Sequence, residues 1–314
     1  MFGVVTRYRR IRLGQGGRYR EECLEKGFVG LDYAIDVDLT GRFPADWREF
    51  NAEFVPIIVS NNPETSKVAA GLGCAAIWGL CFDLDDGDVV LAPDGSGNEI
   101  VGRIAGPYTY AEGDVLPHRR PVIWTGQVIA KSDISESMRR SIRGPLSFIH
   151  LTEYEDELAA LLDPGTHRPR IHVESDDVED PSVFALERHL EDFLVANWAQ
   201  TPLAASYKLY EEDGEVVGQQ LPSDTGPIDL LAVSHDGSEL LVIELKKGRA
   251  SDSVVGQVQR YMGYVKEALA EDHQTVRGMI IALEDDLKIK RALSVTTNID
   301  FYRYKVSFDL ERVD

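Results

Sequence analysis

The feature that most constrains this chain is an Asp-Gly step between two apolar runs, in "IDLLAVSHDGSELLVIELKKGRA", residues 228–250. Asp-Gly flanked by β-type residues predicts a hairpin with a type I′ turn centred on Asp236-Gly237. That turn sets a register in which 235 faces 238, 233 faces 240 and 229 faces 244. Asp229 and Glu244 then become cross-strand neighbours, and Lys246, two residues past Glu244, projects from the same face. Like charges opposite each other destabilise a hairpin, and an isolated buried charge is expensive, so something must offset the two carboxylates. One reading is a Glu–Lys ion pair with the other acid solvated at the sheet's end. The other is a divalent cation held by Asp229, Glu244 and the backbone carbonyl of Leu245. These hard oxygen donors suit Mg²⁺, with Mn²⁺ as substitute, and are too few to close its shell. Such an open site would polarise a phosphodiester and acidify a bound water, with Lys246 orienting that water or offsetting charge on the phosphorus centre.

The rest of the chain reads as two domains, which its 314 residues are long enough to support. Residues 1–150 carry short β-like runs broken by Gly and Pro ("FVGLDYAIDV", "VVLAP", "PVIWTGQVIA") and few long helical patterns, which predicts an α+β domain built on a curved sheet or barrel. Residues 151–179 read as a short amphipathic helix and an acidic, Pro-containing linker. From 180 to 314 the order is αβββαβαβ: a helix opened by Asp180-Pro181, three strands, a helix over "SDSVVGQVQRYMGYVKEALA", a strand, a helix and a last strand. The class is therefore α/β, a sheet covered by helices. On the helix after the hairpin, Gln257 and Tyr261 are four residues apart and can point at one place, as can Glu187 and Glu191 on the first helix.

Pro227-Ile228-Asp229 and Glu244-Leu245-Lys246 resemble the two halves of the PD-(D/E)XK nuclease signature, and "GQVQRY" resembles the Gln-x-x-x-Tyr motif of its RecB-like branch. Residues 180–314, including "ALERHLEDFLVANW", are most similar to the catalytic domain of the NucS/EndoMS mismatch endonucleases. The resemblance implies a restriction-endonuclease-like αβββαβ sandwich and Mg²⁺-dependent cleavage of double-stranded DNA to a 5′-phosphate and a 3′-hydroxyl. It implies catalytic roles for Asp229, Glu244, Lys246, Gln257 and Tyr261, with one of Glu187 and Glu191, Glu187 preferred, assisting the metal. Lys247 and Arg249, just past the strand, could touch phosphate.

"DDGDVVLAP", "VGRIAGPYTY" and "HRRPVIW" resemble the PUA/EVE-like modules of Mrr-type and other modification-dependent restriction enzymes, not the usual N-terminal domain of the mismatch endonucleases. A module of that kind would hold a flipped base between aromatic walls, here Trp78, Tyr108, Tyr110 and Trp124, with Arg119 and Arg120 on nearby backbone. These resemblances together imply restriction of modified or foreign DNA, with repair of mismatched or branched DNA as the alternative and a non-cleaving DNA-binding module as a third reading. Cutting both strands would need two sites, hence a homodimer.

The formal charge of −20 excludes a protein that coats nucleic acid by bulk electrostatics, but Arg7, Arg9, Arg10, Arg12, Arg18 and Arg20 form a local basic segment. Gly14, Gly16 and Gly17 lack the Gly-Lys-Ser/Thr ending of a phosphate loop. The three cysteines show no metal-binding spacing and read as core thiols. Apolar runs are too short to cross a membrane and the N-terminus has arginines where an export signal needs an apolar core, so the expected compartment is the cytoplasm.

Overall fold

The computed structural model describes residues 6–42, 47–143, 146–162, 190–212 and 215–305, and the chain divides into two compact units, residues 1–173 and 174–314. Among the described residues no helix is long and apolar enough to cross a membrane.

The first unit runs β1 (Tyr8–Ile11), α1 (Arg20–Lys26), β2 (Phe28–Leu31), α2 (Trp47–Asn61), α3 (Lys67–Phe82), β3 (Val89–Pro93), β4 (Glu99–Ile104), β5 (Thr109–Tyr110), β6 (His118–Ile129), α4 (Glu136–Ser141), β7 (Phe148–His150) and α5 (Glu155–Leu162). Its sheet has the order β2-β6-β4-β3-β1-β7, with β5 on β6. The 12-residue β6 spans it, pairing with β2 and β5 near its start and with β4 along most of its length. Among the described residues this path ends at β2 and β7 rather than closing, a mixed sheet in which the expected PUA/EVE-type barrel is not shown.

Two consecutive helices, α2 and α3, replace the sparse helical content expected here. In α3 the sequence KVAAGLGCAAIWGLCF is apolar or small on nearly every side, and it is buried from Val68 to Cys81, so no amphipathic stripe marks it. Its start is capped by Ser66, whose side chain accepts the Ala69 N–H at 3.0 Å. In α2 the buried Phe50, Phe54, Val55 and Ile58 keep helical spacing despite Pro56 inside the helix. Cys23, Cys74 and Cys81 are free and buried in this core, and burial pushes the Cys23 thiol up to about 12. The helix expected to open the linker instead belongs to this unit: Leu151, Tyr154 and Leu158 pack with Tyr8, Val89 and Met138.

The second unit contains α6 (residues 190–196), then β8 (Tyr207–Leu209), β9 (Glu211–Glu212), β10 (Glu215–Val216), β11 (Gln219–Leu221), β12 (Ile228–Ser234), β13 (Glu239–Arg249), α7 (Ser253–Tyr264), β14 (Thr275–Glu284), α8 (Leu287–Leu293) and β15 (Ile299–Arg303). The sheet order is β11-β12-β13-β14-β15, with β8 also on β12. β12 and β13 are antiparallel, whereas β13, β14 and β15 run parallel through α7 and α8. Among the described residues the αβββαβαβ order holds, with the short strands β9, β10 and β11 added between β8 and β12, while the helix start expected at Asp180-Pro181 lies outside them. The buried Leu230, Ala232, Leu241, Ile243, Leu245, Met279 and Ile281 form the core on one side, against Trp198 and Leu203. Strands buried on both faces read as continuous apolar runs, as "LLVIEL" does.

Candidate active site

The hairpin holds the predicted register: Leu230 pairs with Ile243, Leu231 with Val242, Ala232 with Leu241 and Val233 with Leu240. Its extrapolation puts Asp229 opposite Glu244. The turn is not the type I′ expected. Gly237 has φ +75°, but Asp236 is not among the non-glycine residues with positive φ, and the Gly237 N–H reaches the Ser234 carbonyl at 2.9 Å. The turn therefore spans Ser234–Gly237. Asp236 Oδ1 accepts from the Ser234 hydroxyl (2.6 Å) and from the Ser238 N–H and hydroxyl (3.0 and 2.8 Å). These bonds hold its carboxyl at about 2. Serines on both sides of Asp-Gly let an Asx-type turn supply the same strand alignment by another route.

At the open end of the hairpin, Asp229 is half-buried, and its Oδ2 accepts the Leu245 N–H at 2.7 Å. The N–H and C=O of one extended residue point to the same edge, so the Leu245 carbonyl is directed to the β12 side of the strand. Glu244 is 2 % exposed, on the strand between β12 and β14. Lys246 Nζ lies 3.4 Å from Glu244 Oε1. A bulge follows at once: between Lys246 and Arg249 the register against β14 shifts by one residue, which ends the regular strand just past the site.

From α7, Gln257 Nε2 donates to the Tyr261 hydroxyl at 3.3 Å. Tyr261 is buried, and its hydroxyl abuts Gly226, in the segment that leads into Asp229. Burial raises the Tyr261 pKa first, and the charges of Glu244 and Asp229 raise it further against the opposing effects of Gln257 and Lys246. The phenol therefore stays protonated beside the acids. Tyr261 thus lies close enough to Glu244, Asp229 and Lys246 for their charges to act on it.

Glu187 lies outside the described residues. Glu191 does not: it is 3 % exposed, and Gln220 Nε2 donates to its Oε2 at 2.5 Å and to Asp229 Oδ1 at 3.3 Å. The sequence reading missed Gln220 altogether, because β11 is three residues long and carries no alternation to mark it. Lys247 is half-buried within the bulge, and Arg249, just past it, is exposed and paired with Glu284 at 3.2 Å.

Hard oxygen donors are what the site offers: the Asp229 and Glu244 carboxylates and the Leu245 carbonyl. Among the described residues no group of three or more His, Cys, Asp or Glu side chains could hold a metal ion by itself. The donor set fits Mg²⁺, which is bound through one or two carboxylates with water and substrate phosphate completing the octahedron.

The residues expected to form a base pocket in the first unit are engaged separately. Trp78 meets Trp47, Phe50 and Phe82 at 5.8, 5.4 and 4.8 Å between ring centroids. Trp124 Nε1 donates to the Cys23 carbonyl at 3.0 Å. The buried His118 donates from Nε2 to the Ile35 carbonyl at 2.7 Å, so its Nδ1 accepts from the Tyr108 hydroxyl at 2.9 Å, and Tyr110 tilts against the same ring at 5.3 Å. Trp78, Tyr108 and Trp124 pack on one core cluster. Arg119 lies over the Phe28 ring and donates to the Leu116 and Val115 carbonyls. Arg120, expected on DNA backbone, is 4 % exposed and donates inward to the Gly106 and Leu84 carbonyls, which removes its fork from the surface.

Residues 197–310 match the family model described as the Endonuclease NucS C-terminal domain. The second unit is NucS-like. Over 119 residues the chain is 29% identical to Endonuclease NucS of Pyrococcus abyssi, covering 37% of this chain and 46% of that protein. Over 86 residues it is 31% identical to Endonuclease NucS 1 of Halobacterium salinarum, covering 27% and 35%. The chain thus spans less than half the length of these curated relatives. Among solved structures it is similar to the EndoMS-dsDNA2 complex (16% identity, TM-score 0.31, covering 70% of this chain and 66% of that one). It is also similar to a repair endonuclease from Pyrococcus abyssi (17%, 0.29, 69% and 65%). The likeness that bears on the site is the family match over 197–310. Residues 10–143 match a domain of unknown function, DUF8426, which brings no activity with it.

Proposed function

We propose that the chain is a metal-dependent endodeoxyribonuclease whose second unit hydrolyses DNA phosphodiester bonds. The observation that carries this is Asp229, fastened to the Leu245 N–H, beside the buried Glu244 and Lys246 in a NucS-like unit. Asp229, Glu244 and the Leu245 carbonyl would hold Mg²⁺, or Mn²⁺ in its place. The bound cation supplies Lewis-acid polarisation of the phosphate and a water of lowered pKa. Lys246 places an ammonium where negative charge develops on phosphorus and can orient the attacking water. Tyr261, protonated and accepting from Gln257, would line the approach to the acids. Hydrolysis would leave a 5′-phosphate and a 3′-hydroxyl, and cutting two strands calls for two copies of the chain.

Cleavage in repair, on mismatched or branched DNA, is better supported than the restriction of modified DNA that the sequence suggested. The matched family and both curated relatives are NucS, and three of the four aromatic residues expected to cage a modified base, Trp78, Tyr108 and Trp124, are occupied with core contacts. The test compares wild type with Asp229→Ala on mismatched, branched, cytosine-modified and plain duplexes, with Mg²⁺ or with chelator. Mismatch- or branch-selective cutting by wild type alone supports the proposal. Cutting confined to modified duplex returns the protein to restriction, and metal-independent binding without cutting makes it a binding module.

A further inference from the structure

β11 is the least regular strand of the second sheet, and it borders the site. Gln219 pairs with Leu230 and Leu221 with Ile228, which brackets Gln220 directly against Asp229. Yet Gln220 has φ +50°, one of three described non-glycine residues with positive φ. Such a backbone persists only where its surroundings over-determine it, and strain of this kind gathers at functional sites. The surroundings are on hand. Just upstream, the Gly218 N–H reaches the Tyr210 carbonyl at 3.0 Å, and the Gly218 carbonyl accepts the Leu231 N–H at 2.7 Å. A Cβ at Gly218 would stand 2.2 Å from the Leu231 oxygen, so the chain is pressed onto β12 immediately before it twists.

The twist delivers one side-chain amide to two acids. Both partners of Gln220 are carboxylate oxygens, Glu191 Oε2 at 2.5 Å and Asp229 Oδ1 at 3.3 Å. Only the NH₂ end of an amide can donate twice, so its orientation is fixed. With Oδ2 on the Leu245 N–H and Oδ1 on Gln220, the Asp229 carboxylate is held from both sides. A lysine in this place would cancel charge and a glutamate would add a third acid. An amide supplies hydrogen bonds and leaves the negative charge as it is.

We propose that Gln220 is a positioning residue of the nuclease site, an uncharged bridge that aligns Glu191 and Asp229 for a divalent cation. This rests on the nuclease reading above. Partners of this kind commonly contribute 10- to 100-fold in metal affinity or activity.

Gln220→Gly separates the bridge from the fold, because glycine takes positive φ without strain. In the full chain it should still fold, the relief of the positive φ offsetting part of the hydrogen bonding lost to the two acids, while Mn²⁺ binding, followed by electron paramagnetic resonance, weakens roughly 10- to 100-fold. Gln220→Ala should lose the same affinity, and cleavage by both variants should recover in part at high Mn²⁺. Asp229→Ala runs alongside. If it abolishes Mn²⁺ binding while both Gln220 variants bind and cleave as wild type does, the bridge is overturned and the nuclease reading stands. If Asp229→Ala itself leaves binding and cleavage unchanged, both are overturned.

Discussion

The first unit buries Arg9, Arg10, Asp88, Glu99 and Arg120, whereas the second buries Glu191 and Glu244. In the first, each buried arginine has a carboxylate partner, Arg120 that of Asp86 at 3.7 Å. Arg10 Nε meets Glu99 Oε1 at 2.9 Å, Arg9 meets Asp83 at 2.8 Å, and Asp88 takes the Arg7 and Asp85 N–H groups at 2.9 Å each. In the second, acids are gathered: Glu191 and Asp229 share the amide of Gln220, and Glu244 has the half-exposed Lys246 at 3.4 Å. A balanced buried pair needs no further partner and serves as scaffold. Acids gathered in this way repel one another, and a bound cation would relieve that repulsion.

That contrast can be broken most directly at Lys246. Lys246→Ala should lower cleavage by roughly 10²–10⁴-fold, the usual contribution of a positioned proton-transfer or charge-stabilising group, with little change in Mn²⁺ binding. A loss of binding to match would make the lysine structural. Next comes the scaffold pair. Arg10→Ala leaves Glu99 without its guanidinium and should destabilise the first unit by about 3–5 kcal/mol in urea unfolding, whereas Arg10→Met with Glu99→Leu should restore most of that. Equal damage from the single and the double variant would deny that charge balance is what matters there.

Removing a charge from the second unit should act in the opposite direction. Glu244→Gln relieves repulsion between facing carboxylates and should raise the metal-free melting temperature while lowering activity, the usual trade at a strained site. A smaller effect concerns pH. Burial lowers the pKa of His118, which is held neutral between Ile35 and Tyr108. Its contribution is present above the unfolded value of about 6.5 and is lost as the pH falls below it towards the depressed folded value. The first unit's melting temperature should fall from pH 7 to pH 5, and His118→Gln should flatten that slope. The smallest effect is expected at the turn, where Asp236→Ala should lower the urea midpoint slightly without moving the register.

Much of the second unit was legible in the sequence, because Asp-Gly and two apolar runs leave few registers open, and the pairs observed from 230 with 243 to 233 with 240 are those the numbers require. The turn type was not legible: it depends on Ser234 and Ser238 reaching the Asp236 carboxylate. Gln220 was invisible for the same reason, since its role comes from a backbone twist and from two acids remote in sequence. In the first unit α3 was hidden by its own burial, which erases the polar face that periodicity needs. Arg120 misled because a basic residue near aromatics reads alike whether it faces phosphate or its own carbonyls.

The central claim is that Asp229 and Glu244 jointly hold a divalent cation. Calorimetric titration of Mn²⁺ into wild type, Asp229→Ala and Glu244→Gln measures it most directly. A saturable site is expected in wild type, lost in Asp229→Ala and strongly weakened in Glu244→Gln, with cleavage lost in step. Equal binding by all three proteins would contradict it.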